Sequence, residues 1–419
     1  MIAIDRDFEK NSIVLLSLTL VASIANYIFQ IFMGRMLDIN QFGTLNALFS
    51  LNTVVSVPVS AILMIVAKYI SEFNAIGESD EPLLKRFFII ISALALCFIA
   101  FGVGLSGTIS SFLNLGGNGY IVFIIFSSGL GLILPVATGG LQGRKRFFAL
   151  GVVNLIVPLT KLFGSLFFLL IGLDIFGVLL SVLLGNFLSI LLGLCLLKIN
   201  LKPSAKKTGF VMNFDALRFM GLSVLVNAGL IILTNIDILL VKHLFSAEET
   251  GIYSTASILC KTILFISGSF VTVMFPMIAD AAARKSDVNR YLTKALLFGG
   301  GLSLICAAVL CIFPKLAINI LFGSKYLASA DLVFPVSLWI IAVSFLTILA
   351  NYSLAVNRAK ILSISLSFGC LTSIILVLLL HISIMQIIYI FAAMSFAVLL
   401  ISYIPIAIKM KKDSSFNNS

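Results

Sequence analysis

The chain has 419 residues, of which 60% are hydrophobic and only 11% charged, with a mean hydropathy of +1.17. A soluble domain spends about a quarter of its residues on charge, so this balance excludes a soluble protein and points to the bilayer. The net charge of +11 is no nucleic-acid signature: the basic residues are dispersed among short loops, where membrane topology and anionic headgroups account for them.

Bilayer hydrocarbon is about 30 Å thick and needs roughly 20 apolar residues in a helix. By that measure the chain holds twelve spans. The first, 12–33, follows the charged segment Asp5 to Lys10 and lacks a small-x-small cleavage site, so it is expected to stay as a span rather than leave as a signal peptide. Next come 43–67, 87–113, 118–141, 150–172 and 174–197, with Pro58, Pro135 and Pro158 predicted to kink or hinge the spans that contain them. The remaining spans are 217–241, 250–276, 293–313, 330–352, 360–380 and 384–408, leaving 409–419 as a polar tail expected to be a disordered cytoplasmic segment.

Basic residues orient these spans. Arg6, Lys10, Lys68, Lys85, Arg86 and the run Arg144-Lys145-Arg146 fall on one side, as do Lys198, Lys202, Lys206, Lys207, Arg218, Arg284, Lys285, Arg290, Lys294, Arg358, Lys360, Lys409, Lys411 and Lys412. That is 22 of the 28 Lys and Arg; the opposite side holds only Arg35, Lys242, Lys315 and Lys325. Cytoplasmic loops carry the excess of Lys and Arg, so both termini are expected in the cytoplasm. A wrong span count would have scrambled the alternation.

Cysteine and histidine offer no chemistry. Cys97, Cys195, Cys260, Cys306, Cys311 and Cys370 all fall inside apolar spans without a CxxC pair or a cysteine–histidine cluster, so neither a disulfide framework nor a metal site is suggested. They read as small hydrophobes in helix packing. His243 and His381 are far apart at span ends, and no nucleotide-binding or hydrolase motif occurs in the context it needs. The pattern is that of a carrier without a cofactor, not an enzyme.

A weak internal repeat divides the chain. A shift of 208 residues places Gly43 on Gly251, Leu51 on Leu259 and Leu37 on Phe245, and maps the first span onto the seventh. The expected halves are 1–208 and 209–408. Six spans per half bring each half back to its starting face, so the halves form a parallel repeat about an axis along the membrane normal. Carriers of this plan place their substrate site between the halves near mid-membrane and rock one half against the other.

The segment Asn235-Ile236-Asp237-Ile238-Leu239-Leu240-Val241 with Gly251-Ile252-Tyr253-Ser254-Thr255-Ala256 resembles the polysaccharide exporter branch of the multidrug/oligosaccharidyl-lipid/polysaccharide superfamily. Gly34-Arg35-Met36-Leu37 through Phe42-Gly43 looks like that family's first-hairpin motif, and Ile320-Leu321-Phe322-Gly323-Ser324-Lys325-Tyr326 like its segment before the tenth span; Pro276, ending the eighth span, fits as well. The resemblance covers essentially the whole chain. It implies an all-α integral membrane fold of twelve transmembrane helices in two six-helix bundles around a central cavity. It also implies flipping of lipid-linked oligosaccharide repeat units, such as O-antigen or capsule precursors, in a cytoplasmic (inner) membrane. The expected partners are that lipid-linked substrate, membrane lipid and a polysaccharide polymerase, with the chain itself a monomer.

Charges inside the spans are the candidate site residues: Lys161, Asp237 and Lys261. A charge at mid-helix costs about 2.5–3.5 kcal/mol on the lenient insertion scale and usually faces an interior cavity. Lys161 lies about 16 Å and Lys261 about 15 Å from the nearer span end at 1.5 Å per residue, too deep for a lysine stem to snorkel. Either both meet the pyrophosphate of the lipid-linked sugar, or they serve helix packing. Asp237, some 5 Å from the level of Lys261, either pairs with it or titrates in an ion-coupling step. The amides Asn26, Gln30, Asn52, Asn154, Asn186, Asn227 and Asn235 also lie in spans. Asn26, Asn154 and Asn235 are carried forward as candidate sugar contacts, against helix–helix hydrogen bonding as the alternative. Two other functions compete with flipping: a cation-coupled multidrug exporter, disfavoured because the first span holds no carboxylate, and a non-transporting envelope assembly protein, for which the loops are short.

Overall fold

The structure, a computed structural model, describes residues 6–75, 77, 79–198, 214–283, 288–356 and 359–416, and every regular element among them is helical. The basic residues Lys202, Lys206, Lys207, Arg284, Lys285 and Arg358 fall outside this set. In chain order the helices are α1 (Arg6–Met36), α2 (Ile39–Val55), α3 (Val57–Ala75), α4 (Glu81–Phe112), α5 (Gly119–Gly143), α6 (Phe147–Leu159), α7 (Ser165–Leu170) and α8 (Asp174–Leu197). Then follow α9 (Phe214–Leu233), α10 (Ile236–Leu244), α11 (Ala247–Ala283), α12 (Val288–Ala295), α13 (Gly301–Ile312), α14 (Pro314–Leu321), α15 (Ala330–Ala355), α16 (Lys360–Leu379) and α17 (Ile384–Phe416).

Eleven segments among the described residues are long and apolar enough to cross a membrane, and the eighth predicted span falls on the 37-residue α11. Each of the twelve predicted spans therefore has a helical counterpart, and the chain is an all-α membrane protein. Helix ends overrun the apolar runs. The third span begins at Glu81 rather than 87, because Asp80, Glu81 and Pro82 make a favourable first turn, with acidic charge and proline where the backbone donors are unused anyway. Two expectations fail at helix ends. Pro276 does not end the eighth span, since α11 continues to Ala283. The tail expected to be disordered is helical as far as Phe416: its Lys-Met-Lys-Lys stretch is made of good helix formers.

The spans are also interrupted, and each interruption meets its own polar groups. The second span breaks at Ser56, two residues before Pro58, where the Ser56 hydroxyl donates to Thr53 O (2.9 Å). The seventh breaks at Thr234-Asn235 between α9 and α10; there Thr234 Oγ1 donates to Leu230 O (2.7 Å) and Asn235 Nδ2 to Ile231 O (2.8 Å). Two π-helical turns, Thr160–Gly164 and Leu296–Gly300, widen the fifth and ninth spans without ending them. Pro135 sits within a continuous α5.

The described residues fall into two compact units, those within 1–37 and 51–220, and those within 38–50 and 221–419. In the first, α5 is the central helix, and small residues let its neighbours close in. A methyl group on Gly139 would lie 2.9 Å from Val66 Cβ and one on Gly143 2.7 Å from Ile70 Cβ, both on α3; on the α8 side a methyl on Gly193 would lie 2.6 Å from Ala137 Cβ. Where apolar lipid competes for apolar side chains, such close backbone approach is what drives association. One end of this unit is tied by charge. Arg144, in the α5–α6 turn, donates to both carboxylate oxygens of Asp80 (2.8 and 2.6 Å) and to Leu197 O at the end of α8 (2.7 Å). Asn74 Nδ2 adds a third donor to Asp80 (3.1 Å). The Asp80 hydrogen bond raises the guanidinium pKa further above its ordinary value, against the opposing effect of burial. From sequence the run Arg144-Lys145-Arg146 reads as a topology signal, with a cytoplasmic gate contact as the alternative; in the structure Arg144 is in addition a structural clamp.

In the second unit α15 is the central helix, with the fully buried Trp339 ring 5.3 Å from that of Phe391 on α17. The start of α2 belongs to this unit. Gly43 and Gly251, which the 208-residue shift superimposes, lie against one another: a methyl on Gly43 would sit 2.5 Å from Gly251 N and 2.6 Å from Ala247 O. Beside them Phe42 packs its ring 6.1 Å from Phe322 and 5.6 Å from Tyr326. Gly323, at φ +99° and ψ 168°, makes the turn between those two rings, a conformation open essentially to glycine alone. The three motif segments that carry the family resemblance thus converge on one cluster.

Gly251→Val is expected to cost at least about 1–3 kcal/mol by overpacking against the backbone of α2, while Gly104→Ala, whose added methyl meets open space, is neutral; thermal unfolding in detergent compares them. Arg144→Ala, which strands the Asp80 carboxylate, is expected to cost about 1.5–3 kcal/mol in the same assay, with Lys145→Ala unchanged.

Candidate functional site

Asp237 lies in the first turn of α10, where the positive end of the helix favours a carboxylate. It is fully buried, and α11 supplies its partners from one face. Tyr253, Ser257 and Lys261 follow at spacings of four, so their side chains stack along a single stripe of the helix. The Tyr253 hydroxyl donates to Asp237 Oδ2 at 2.8 Å and the Ser257 hydroxyl at 3.0 Å. Lys261 Nζ stands farther off, 3.4 and 3.5 Å from the two oxygens. Its side chain keeps 18% exposure against none for Asp237, and its ammonium lies 5.9 Å from the centre of the Trp339 ring. The indole nitrogen of Trp339 is buried with no hydrogen-bond partner among the described residues.

Of the alternatives for Asp237, the ion pair is the geometry present. The two hydroxyls are the closer partners, so the carboxylate is largely satisfied before the ammonium is counted. Tyr253 and Ser257 were not singled out from sequence. Their stepping by four with Lys261, opposite a span that carries a lone carboxylate, is the signal that would have found them.

Lys161 occupies the π-helical turn Thr160–Gly164 of the first unit. Pro158 explains that turn: it has no N–H to return to Asn154 O, and the ladder re-forms with a wider register. The ammonium sits 4.1 Å from the centre of the buried Phe29 ring and donates to Asn26 Oδ1 at 3.5 Å. The Asn26 amide is itself held by Ala22 O (3.2 Å). One turn along α1, Gln30 Oε1 is buried with no partner among the described residues. A ring face and an amide oxygen are both favourable partners for a charge in a membrane helix.

The other amides divide. Asn235 caps nothing with its side chain, which serves the α9–α10 break by bonding to Ile231 O and Thr234 Oγ1 (3.1 Å). Asn154 is exposed on α6. Asn52 accepts from Ser128 (2.7 Å) and Asn186 donates to Ser127 O (3.1 Å), so these two knit helices together; Asn227 bonds within its own helix, to Ser223 O (2.8 Å). Among the described residues no group of three His, Cys, Asp or Glu is placed to hold a metal. What the two clusters offer is electrostatic and hydrogen-bonding: two ammonium groups within membrane helices, one beside an aromatic ring and an amide and one beside a carboxylate.

Comparison with known proteins agrees with the architecture. No curated protein matches the chain. Its fold is similar to that of an inward-facing multidrug resistance MATE family transporter of the MOP superfamily, with a TM-score of 0.73 at 11% identity over 96% of this chain and 99% of the other. The MATE multidrug transporter DinF-BH in complex with R6G superimposes with a TM-score of 0.66 at 13% identity, covering 97% and 96%. A MOP superfamily transporter from Pyrococcus furiosus Vc1, described as having a binding pocket of reverse polarity, gives 0.55 at 13% identity, covering 96% and 94%. A family model described as "Polysaccharide biosynthesis protein" matches residues 75–331, more than half of the chain. The family match over more than half of the chain makes it a member of the polysaccharide biosynthesis protein family, with a helical membrane fold similar to that of MOP superfamily transporters.

Proposed function

We propose that the protein is a flippase that carries polyprenyl-pyrophosphate-linked oligosaccharide repeat units from the cytoplasmic to the outer leaflet for surface polysaccharide synthesis. The observation that carries this reading is the pair of lysines, Lys161 and Lys261, set within membrane helices, with Lys261 Nζ 3.4 Å from a carboxylate already held by two hydroxyls. A pyrophosphate cannot cross hydrocarbon alone, and a lysine with a distant or aromatic partner can exchange it for a phosphate oxygen at little cost. Asn26, beside Lys161, and Asn235, at the helix break next to Asp237, supply amides for sugar hydroxyls, and the exposed Asn154 a third. The polyprenyl tail stays in lipid. The protein works in the cytoplasmic membrane with both termini inside, by alternating access and without a cofactor, as a monomer beside a polysaccharide polymerase.

The fold neighbour bound to R6G keeps multidrug export as the second reading. It is the weaker one. Export of cationic drugs calls for available carboxylates, and Asp237 is buried under two hydroxyls and an ammonium.

Lys161→Ala and Lys261→Ala are each expected to abolish surface polysaccharide in a strain that depends on this protein while membrane levels stay normal; undiminished polymer in both would reject the reading. Because Lys261→Ala also strands Asp237, the double variant Asp237→Asn with Lys261→Ala separates the roles: restored polymer would make the lysine purely structural. Resistance to cationic dyes conferred by the intact protein, with no effect on polymer, would favour the second reading. Tyr253→Phe, which removes a hydrogen bond to a buried charge, is expected to cost about 1.5–3 kcal/mol, read by thermal unfolding.

A further inference from the structure

A cavity of about 380 Å³ opens among α12, α15, α16 and α17, entirely within the second unit and away from the Asp237 cluster. Its size falls in the range of small-molecule sites, roughly 300–1,000 Å³. The polar residues that line it are Asn289, Tyr352, Ser353, Lys360 and Ser402. Most of their groups are engaged. The Tyr352 hydroxyl donates to Asn289 Oδ1 (3.2 Å) and Ser402 shares a hydrogen bond with Ser365 (2.8 Å). Ser353 differs: it is 2% exposed, and its hydroxyl has no hydrogen-bond partner among the described residues.

Among the described residues that line it, Lys360 is the charged one and none is a carboxylate. It is the first residue of α16, whose N-cap position is Ala359, with no side chain to cap the helix, so unused backbone N–H groups add to its positive field. The remaining wall is hydrocarbon, from Val356, Ile361, Leu362, Pro405 and Ile406. A free inorganic anion would leave that wall uncovered, whereas an amphiphile would use both surfaces. Lys360 marks the level of the span ends, and Arg290 and Lys294 on α12 are exposed, so the site lies where lipid phosphates lie.

We propose that this cavity binds the phosphate headgroup of an anionic glycerophospholipid, with the phosphate on Lys360 and the Ser353 hydroxyl and the first carbons of the lipid against Val356, Ile361 and Pro405. The site is independent of the flippase reading and of both membrane-buried lysines. Because four helices wall the cavity, an occupied site ties α12 to α15, α16 and α17.

The test is a lipid titration of the purified full-length chain in detergent, read by native mass spectrometry. Phosphatidylglycerol is expected to bind at least about tenfold tighter than phosphatidylcholine, with inorganic phosphate unable to displace it. Lys360→Gln is expected to weaken phosphatidylglycerol binding about tenfold, and Ser353→Leu, which fills the cavity, to remove it. Lys360 is exposed, so its variant folds even if Ser353→Leu does not. Equal binding of the two phospholipids, or undiminished phosphatidylglycerol binding in Lys360→Gln, would overturn the proposal. So would displacement by phosphate alone, which makes the site one for a free ion, or preferential binding of polyprenyl phosphate, which makes it a substrate site.

Discussion

Hydrocarbon offers a peptide group nothing to bond to, and the cost of each unmet N–H or C=O runs to several kcal/mol. That constraint governs where this chain departs from regular helix. Three of its irregularities fall in the second, fifth and seventh spans, and all are repaired locally: by Ser56 ahead of Pro58, by the widened turn after Pro158, and by the Thr234 and Asn235 side chains between α9 and α10. Two of the three sit beside an ionisable residue. The π-helical turn holds Lys161 itself, and the α9–α10 break places Asp237 at a fresh helix start, where backbone N–H groups favour its negative charge. Interrupted helices are a cheap way to make polar environments at depth, because the backbone supplies part of the solvation.

The same solvent makes small residues valuable. Water drives no association between helices inside a bilayer, so contact depends on how closely surfaces fit. Gly139, Gly143 and Gly193 serve this purpose in the first unit, and Gly43 with Gly251 in the second. Charge takes over at the membrane surface, where Arg144 joins the loop before α4 to the ends of α5 and α8 through Asp80 and Leu197. Fit in the middle and ion pairing at the ends are complementary uses of the two solvents the chain meets.

Much of the architecture was legible from hydropathy, since a span is a property of about 20 consecutive residues and survives errors at its edges. Less legible was anything that depends on which residues meet. Apolar runs hide the break at Thr234-Asn235, because Ile236 to Leu240 are as hydrophobic as the helix before them. The disordered tail was misread because charge and polarity in Lys409 to Lys412 also suit a helix. Asp237 and Lys261 could be matched by depth alone, and the structure pairs them. Tyr253 and Ser257 escaped notice since hydroxyls are common in membrane helices and only their register with Lys261 sets them apart. Asn154 reads from sequence like Asn26, yet Asn154 is exposed while Asn26 accepts from Lys161.

The stripe of Tyr253, Ser257 and Lys261 on α11 has a mechanical consequence. Tyr253 and Ser257 hold one carboxylate on α10 at 2.8 and 3.0 Å with Lys261 at 3.4 Å, so a twist of α11 about its own axis would lengthen all three contacts together. Sliding by a single turn would instead offer the carboxylate a neighbouring member of the stripe. Four helical residues rise about 6 Å, so that is the spacing at which the stripe sets its partners along α11.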